Sequence, residues 1–194
     1  MLSRRTFIKT ALASNAALLT TPSQALQLLF DNSQAQPLLV FADETALNAK
    51  DFISGVKNDG ANLGLDIGRH FDLLATFCKD TPNGQIMGLT RDSDFFVLEQ
   101  LAKDFGFYTS YSASHRYDGQ TLTHQVTAAE EPATIITTSL TKAGEQWPAW
   151  LAKNLHALPQ KHQQTITTKS QLNVANAEPH DFLVSWSLST SKSI

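Results

Sequence analysis

The sequence predicts one α/β domain of three layers, with helices flanking a mixed, mostly parallel sheet and a β-hairpin region towards the C-terminus. Three observations carry this. Pro37-Leu38-Leu39-Val40-Phe41-Ala42 is apolar throughout, as a strand covered on both faces must be. Gly84 to Phe107 reads as buried strand, polar turn, amphipathic helix and glycine stop, which is half of a βαβ unit. Beyond Gly106 the pattern changes from helical spacing to strict alternation, the mark of half-buried strands.

Taken in order, the first strand ends in Asp43-Glu44-Thr45, and a helix is predicted over 46–56 with Phe52, Ile53 and Val56 facing inward. Lys57-Asn58-Asp59-Gly60 closes it. Leu63 to Lys79 begins as a strand and continues as a helix on which Cys78 shares a face with Phe71, Leu74 and Ala75. After the turn signal Pro82-Asn83-Gly84, Ile86-Met87-Gly88-Leu89 is a short apolar strand. Past Thr90-Arg91-Asp92-Ser93, the residues Phe95, Leu98, Leu101, Ala102 and Phe105 form one helical stripe. Asp92 or Ser93 is the expected N-cap, since a short polar side chain can accept from the unpaired amides of a first turn. Gly106 suits the left-handed residue that ends such a helix.

Tyr108 to Tyr117 places Thr109, Tyr111, Ala113, His115 and Tyr117 on one face. Asp118-Gly119 is a two-residue hairpin signal, and Thr121 to Thr127 is expected to return beside the first strand. That turn sets Tyr117 against Gln120, His115 against Leu122 and Ala113 against His124. Pro132 to Ser139, centred on Ile135-Ile136, is predicted as a strand. A helix follows around Trp150, Leu151, Leu155 and Leu158, with Pro148 in its first turn. The stretch 160–176, rich in Gln, Thr and Ser, is predicted to be a loop. Asp181 to Leu188 is the closing strand.

With 194 residues, 42% hydrophobic and 17% charged, the chain has the composition of a soluble globular domain, expected over 37–194. Arg4, Arg5 and Lys9 are three of the 15 Lys and Arg residues, and the first 25 residues hold no Asp or Glu. The remainder is therefore distinctly acidic, without a basic run, which speaks against nucleic acid and anionic membranes as partners. Ser3-Arg4-Arg5-Thr6-Phe7-Ile8-Lys9 resembles the twin-arginine (Tat) export signal, with Ile8 in place of a leucine. Arg4, Arg5, Phe7 and Lys9 carry the resemblance. Ala11 to Leu19 is too short and too polar to span a bilayer, and Pro22-Ser23-Gln24-Ala25 offers small residues for cleavage after Ala25, with Ala35 as the second choice. The resemblance implies a signal peptide over 1–25, passage through the Tat translocase in the folded state, a periplasmic location and no stable membrane insertion after cleavage. It further implies a cofactor loaded before export, or a co-exported redox enzyme or transporter as partner. The sequence itself specifies no cofactor. With Cys78 the only cysteine, no intramolecular disulfide can form, and the thiol is expected to be a buried, inert core residue.

Two places can bring chemistry together. If both apolar strands are parallel in one sheet, Asp43 and Thr45 share an edge with Thr90, Arg91, Asp92 and Ser93. Ligands in such sheets gather at that carboxyl edge, and Arg91 can hold a carboxylate or phosphate there. The second is the hairpin, where His115 and His124 fall on one face as diagonal neighbours and can supply half of a metal site. A third ligand would come from His70, His180, Asp66 or Asp72. There is no phosphate-binding or dinucleotide glycine motif, and no Gly-x-Ser-x-Gly elbow. The expected role is non-catalytic: an exported small-ligand-binding or accessory protein. The alternative is a periplasmic enzyme with a metal or redox cofactor near His115 and His124.

Overall fold

The computed structural model describes residues 37–46, 48–56, 62–64, 67–157, 165–173 and 182–190. The predicted export segment, the turn at 57–60, Asp66, Leu158 and His180 lie outside the described residues. Among the described residues, seven strands form one mixed sheet: β1 (Leu38–Ala42), β2 (Asn62–Gly64), β3 (Gln85–Arg91), β4 (Phe107–Tyr117), β5 (Thr121–Ala129), β6 (Thr165–Asn173) and β7 (Leu183–Thr190). The helices are α1 (Ala49–Gly55), α2 (Ile67–Asp80), α3 (Asp92–Lys103), α4 (Glu130–Ala143) and α5 (Trp147–Asn154). No described helix is long and apolar enough to cross a membrane.

The strand order is β2-β1-β3-β7-β4-β5-β6. Alternate residues of each strand feed two separate cores, as the period of two in a pleated strand requires. Val40, Met87, Leu89, Tyr111 and Val126 pack with Phe52 of α1, Ile136 of α4 and Leu151 of α5. On the other face Leu39, Phe41, Ile86 and Trp186 pack with Leu74 of α2 and Leu98 of α3. Three layers and a mixed sheet make this a single α/β domain. The parallel share is smaller than predicted: only β1–β2 and β1–β3 are parallel. The closing strand β7 runs antiparallel between β3 and β4, in the middle of the sheet.

Four local expectations need correction, each for a physical reason. The predicted strand 132–139 is the helix α4. Its buried residues Ala133, Ile136, Thr137 and Leu140 recur at helical spacing, and Glu130 and Glu131 sit in its first turn, where the helix dipole favours acids. Pro132 also falls in that turn, where an amide has no intrahelical partner to lose. The predicted loop 160–176 contains β6, nine residues in unbroken register with β5. Its alternation lies in polar residues, so an apolar periodicity does not mark it.

The hairpin loop is two residues longer than predicted, so Tyr117 faces Leu122 and His115 faces His124. The Asp118 carboxylate accepts from the Gln120 and Thr121 amides at 3.0 and 2.7 Å, which folds a wider turn than a bare Asp-Gly pair. Gly119 takes the positive φ of 97° that this turn needs. Finally, β3 passes straight into α3 with Arg91 as N-cap residue, and neither Asp92 nor Ser93 caps. Asp94, three residues on, accepts the Arg91 amide instead, the reciprocal half of a capping box.

At the antiparallel end α4 lies over β5 and β6. On the opposite face α3 covers the start of β4, where the Thr109 hydroxyl donates to Glu99, and beyond it, among the described residues, Arg116, Thr167, Lys169 and Gln171 are exposed. Cys78 is free and buried on α2, and burial pushes its thiol up to about 11, in keeping with an inert core residue.

Candidate functional site

The carboxyl ends of β1 and β3 form the first candidate. After β1 the chain turns to α1 on one face of the sheet; after β3 it turns to α3 on the other. Neighbouring parallel strands whose connections diverge in this way leave a crevice beyond their carboxyl ends. Asp43, one residue past β1, is 7% exposed and is fixed from three sides. Its Oδ1 accepts from the Thr45 amide at 2.9 Å and the Thr45 hydroxyl at 2.5 Å. Its Oδ2 accepts from Arg91 Nε at 3.0 Å. Burial alone would raise the Asp43 carboxyl, but the Thr45 bonds and the Arg91 charge outweigh it and hold the group below its usual value.

Asp94 shows the opposite balance. Its burial and the charge of Asp43 raise it, against the pull of Arg91. One guanidinium thus serves two carboxylates while remaining 49% exposed at the carboxyl edge of the sheet. Of the other predicted residues here, Thr90 is fully buried and turned the other way, its hydroxyl accepting from the Trp186 indole at 3.0 Å. Asp92 and Ser93 are exposed on the first turn of α3. Sequence reasoning placed Asp43, Thr45 and Arg91 together; it did not single out Asp94. Arg91→Ala is therefore expected to strand Asp43, and to lower stability by about 1–2 kcal/mol in urea melts. An unchanged melt would show that the ion pair is not formed in solution.

The second candidate is buried. His115 and His124 stand directly opposite each other on β4 and β5, with Nδ1 to Nδ1 at 2.6 Å. His115 Nε2 meets the Ser185 hydroxyl at 2.7 Å, and the Ser185 hydroxyl meets the Tyr111 hydroxyl at 2.9 Å. Trp147, held at the start of α5, stacks on His115 with ring centres 4.0 Å apart. The chain runs Tyr111–Ser185–His115–His124 through the core, and its histidines are 2% and 0% exposed.

Only one proton fits between the two Nδ1 atoms. If His115 donates there, its Nε2 accepts from Ser185, and His124 carries its own proton on Nε2. If His124 donates, every bond in the chain reverses. Either setting requires two neutral imidazoles. Burial depresses both pKa values, with His124 at about 4 and His115 well below its usual range through burial and the neighbouring His124.

A metal does not fit this arrangement. Two zinc–nitrogen bonds of about 2.0–2.1 Å at a tetrahedral angle hold their nitrogens about 3.3 Å apart, wider than the observed contact. Among the described residues no third His, Cys, Asp or Glu comes close enough to complete a cluster. Asp72 is exposed on α2. The Ser185–His115–His124 connectivity has the order of a nucleophile, base and orienting group. However, Ser185 is fully buried on an inner strand paired on both sides, so the backbone around it is engaged in the sheet rather than presented to a substrate. Sequence reasoning missed Ser185. Its signal was the alternation Ser185, Ser187, Ser189 along the closing strand and just past its predicted end.

The chain matches no protein-family model, no curated protein and no solved structure.

Proposed function

We propose that the protein is an exported, non-catalytic small-ligand-binding or accessory protein, with its ligand site in the crevice at the carboxyl ends of β1 and β3. The observation that carries this is the half-exposed Arg91, held in place by Asp43 where the connections of two parallel strands diverge. A fixed cation at such a point suits a small carboxylate or phosphate. Asp94 beside it favours a ligand that also carries a donor or a positive group. The acidic balance of the chain past residue 25 and the absence of an accessible nucleophile in the buried chain fit binding better than catalysis. The Tat-like Ser3–Lys9 segment supports export, and with it a co-exported redox enzyme or transporter as the partner served.

Two measurements test the reading. Replacing Arg4 and Arg5 together by Lys should leave the precursor uncleaved in the cytoplasm, since the arginine pair is what the Tat machinery reads; efficient export of that variant by cell fractionation would refute the export part. A thermal-shift screen of the mature protein against small carboxylates, phosphates and amino acids should find at least one that stabilises it. That gain should vanish in Arg91→Ala, measured against its own unliganded midpoint. A hit that stabilises both proteins equally would move the site elsewhere.

A further inference from the structure

The face of β5, β6 and the end of β4 that lies away from α4 is unusual in its charges. Antiparallel sheets often leave one face wet, and such faces normally interleave acids with bases. The chain as a whole has more Asp and Glu than Lys and Arg, 18 against 15. Yet from Ser112 onward on β4, and along β5 and β6, the positions on this face hold Ser, Thr, Gln, Asn and one Ala, two cations and no acid. The cations are Arg116 and Lys169, both exposed.

The register fixes how these groups are spaced. Arg116 lies beside Thr123, and Gln125 lies beside Lys169, so Thr123 and Gln125 sit on β5 between the two charges. Two strand steps of about 4.8 Å and a stagger of two residues put Arg116 and Lys169 on the order of 12 Å apart across the face. The hydroxyls are ordered as well, Thr127 and Thr167 bonding across the strands at 3.0 Å. One residue ahead of β7, Phe182 is 45% exposed. Since Leu183 pairs with His115, Phe182 comes next to Arg116 in the sheet and gives an apolar surface for a ring to lie on.

We propose that this face binds an extended, acidic polysaccharide. Arg116 and Lys169 would take carboxylates of the chain, and the Thr and Gln side chains between them would take its hydroxyls. Charge complementarity selects the acidic class, because a neutral glycan needs neither cation and an anionic face would repel it. The proposal is independent of the Arg91 crevice, which opens at the carboxyl ends of β1 and β3.

The test is affinity electrophoresis of the full chain through gels containing polygalacturonate, dextran or polyphosphate. Retardation by polygalacturonate alone is expected, weakening as salt is added. Arg116→Ala with Lys169→Ala should reduce that affinity about tenfold or more. Thr123→Val with Gln125→Ala should reduce it without changing the salt dependence, while Lys50→Ala, which removes an exposed cation on α1, should leave it intact. Circular dichroism of each variant confirms that the fold is kept. No retardation by polygalacturonate at low salt overturns the proposal. Equal retardation by dextran overturns the acidic class, equal retardation by polyphosphate overturns the glycan, and full binding by the double-charge variant overturns the face.

Discussion

Urea melts between pH 7 and pH 4.5 are expected to show a steep loss of stability that comes from His115 and His124. Unfolded, each imidazole titrates near 6.5; folded, burial lowers His124 to about 4 and His115 well below its ordinary value. Above pH 6.5 both states hold neutral rings and the pair adds no pH dependence. Below it the unfolded chain takes up protons that the folded core refuses, so stability falls with pH. The slope is about 1.4 kcal/mol per pH unit for each histidine. Across the window from 6.5 to 4, His124 alone accounts for a loss on the order of 3 kcal/mol, and His115 adds in the same direction.

The surroundings offer an incoming charge no relief. Tyr111 and Tyr117 of β4, Ser185 of β7, Ser170 of β6 and Trp147 of α5 share that face with the pair, and none of them is a carboxylate. A first added proton would sit on the Nε2 of the donating ring and leave the Nδ1 contact in place, but a second would make both Nδ1 atoms donors and break it. The comparison protein is His115→Leu with His124→Leu, in which the slope between pH 6.5 and 4.5 should largely disappear. His156 and Asp94, which titrate elsewhere in the fold, are common to both proteins. A wild-type slope that survives in the double variant would mean that the buried pair does not set the acid limit.

The same pair shows how far the sequence reaches. That His115 and His124 share a face followed from alternation and the Asp118-Gly119 turn, and it survives because the loop is longer by an even number of residues. That they stand opposite rather than diagonal depended on Asp118 holding two amides, a side-chain contact no periodicity encodes. Asp43 and Arg91 could be brought to one edge because parallel βα units place their loops together. Their ion pair, and the part taken by Asp94, rest on side-chain reach and on β3 entering α3 without a loop. The largest gap concerns β7 and β6. Insertion of the last strand between β3 and β4 is a long-range pairing decided by what fits in the middle of the sheet. β6 is built of Thr, Lys, Ser and Gln, so its alternation escapes any reading based on hydrophobicity. The polar face it completes was hidden for the same reason.

Loss of the Trp186 indole should be the most damaging single change in the core, because β7 holds its place largely through that ring. Trp186 is fully buried, stacks on Phe41 at 6.2 Å and on Phe95 at 5.4 Å between ring centres, and donates to the Thr90 hydroxyl. Its cross-strand neighbour on β3 is Gly88, and the ring lies where any other residue would carry a side chain. A Cβ at Gly88 would come within 2.5 Å of Trp186 Cζ2 and 2.9 Å of the Phe41 carbonyl oxygen, one a packed ring and the other backbone. Trp186→Ala is expected to cost about 3–5 kcal/mol, and Gly88→Ala about 1–3 kcal/mol through overpacking. The pair must also be coupled. Trp186→Phe removes the ring atoms that a Cβ would strike, so Gly88→Ala should be better tolerated with Phe at position 186 than with Trp. A double-mutant cycle of denaturant melts measures this, and a coupling of about 0.5–3 kcal/mol in the rescuing sense is expected. Strict additivity of the two changes would show that the indole does not lie over Gly88, and the placing of β7 beside β3 would fall with it.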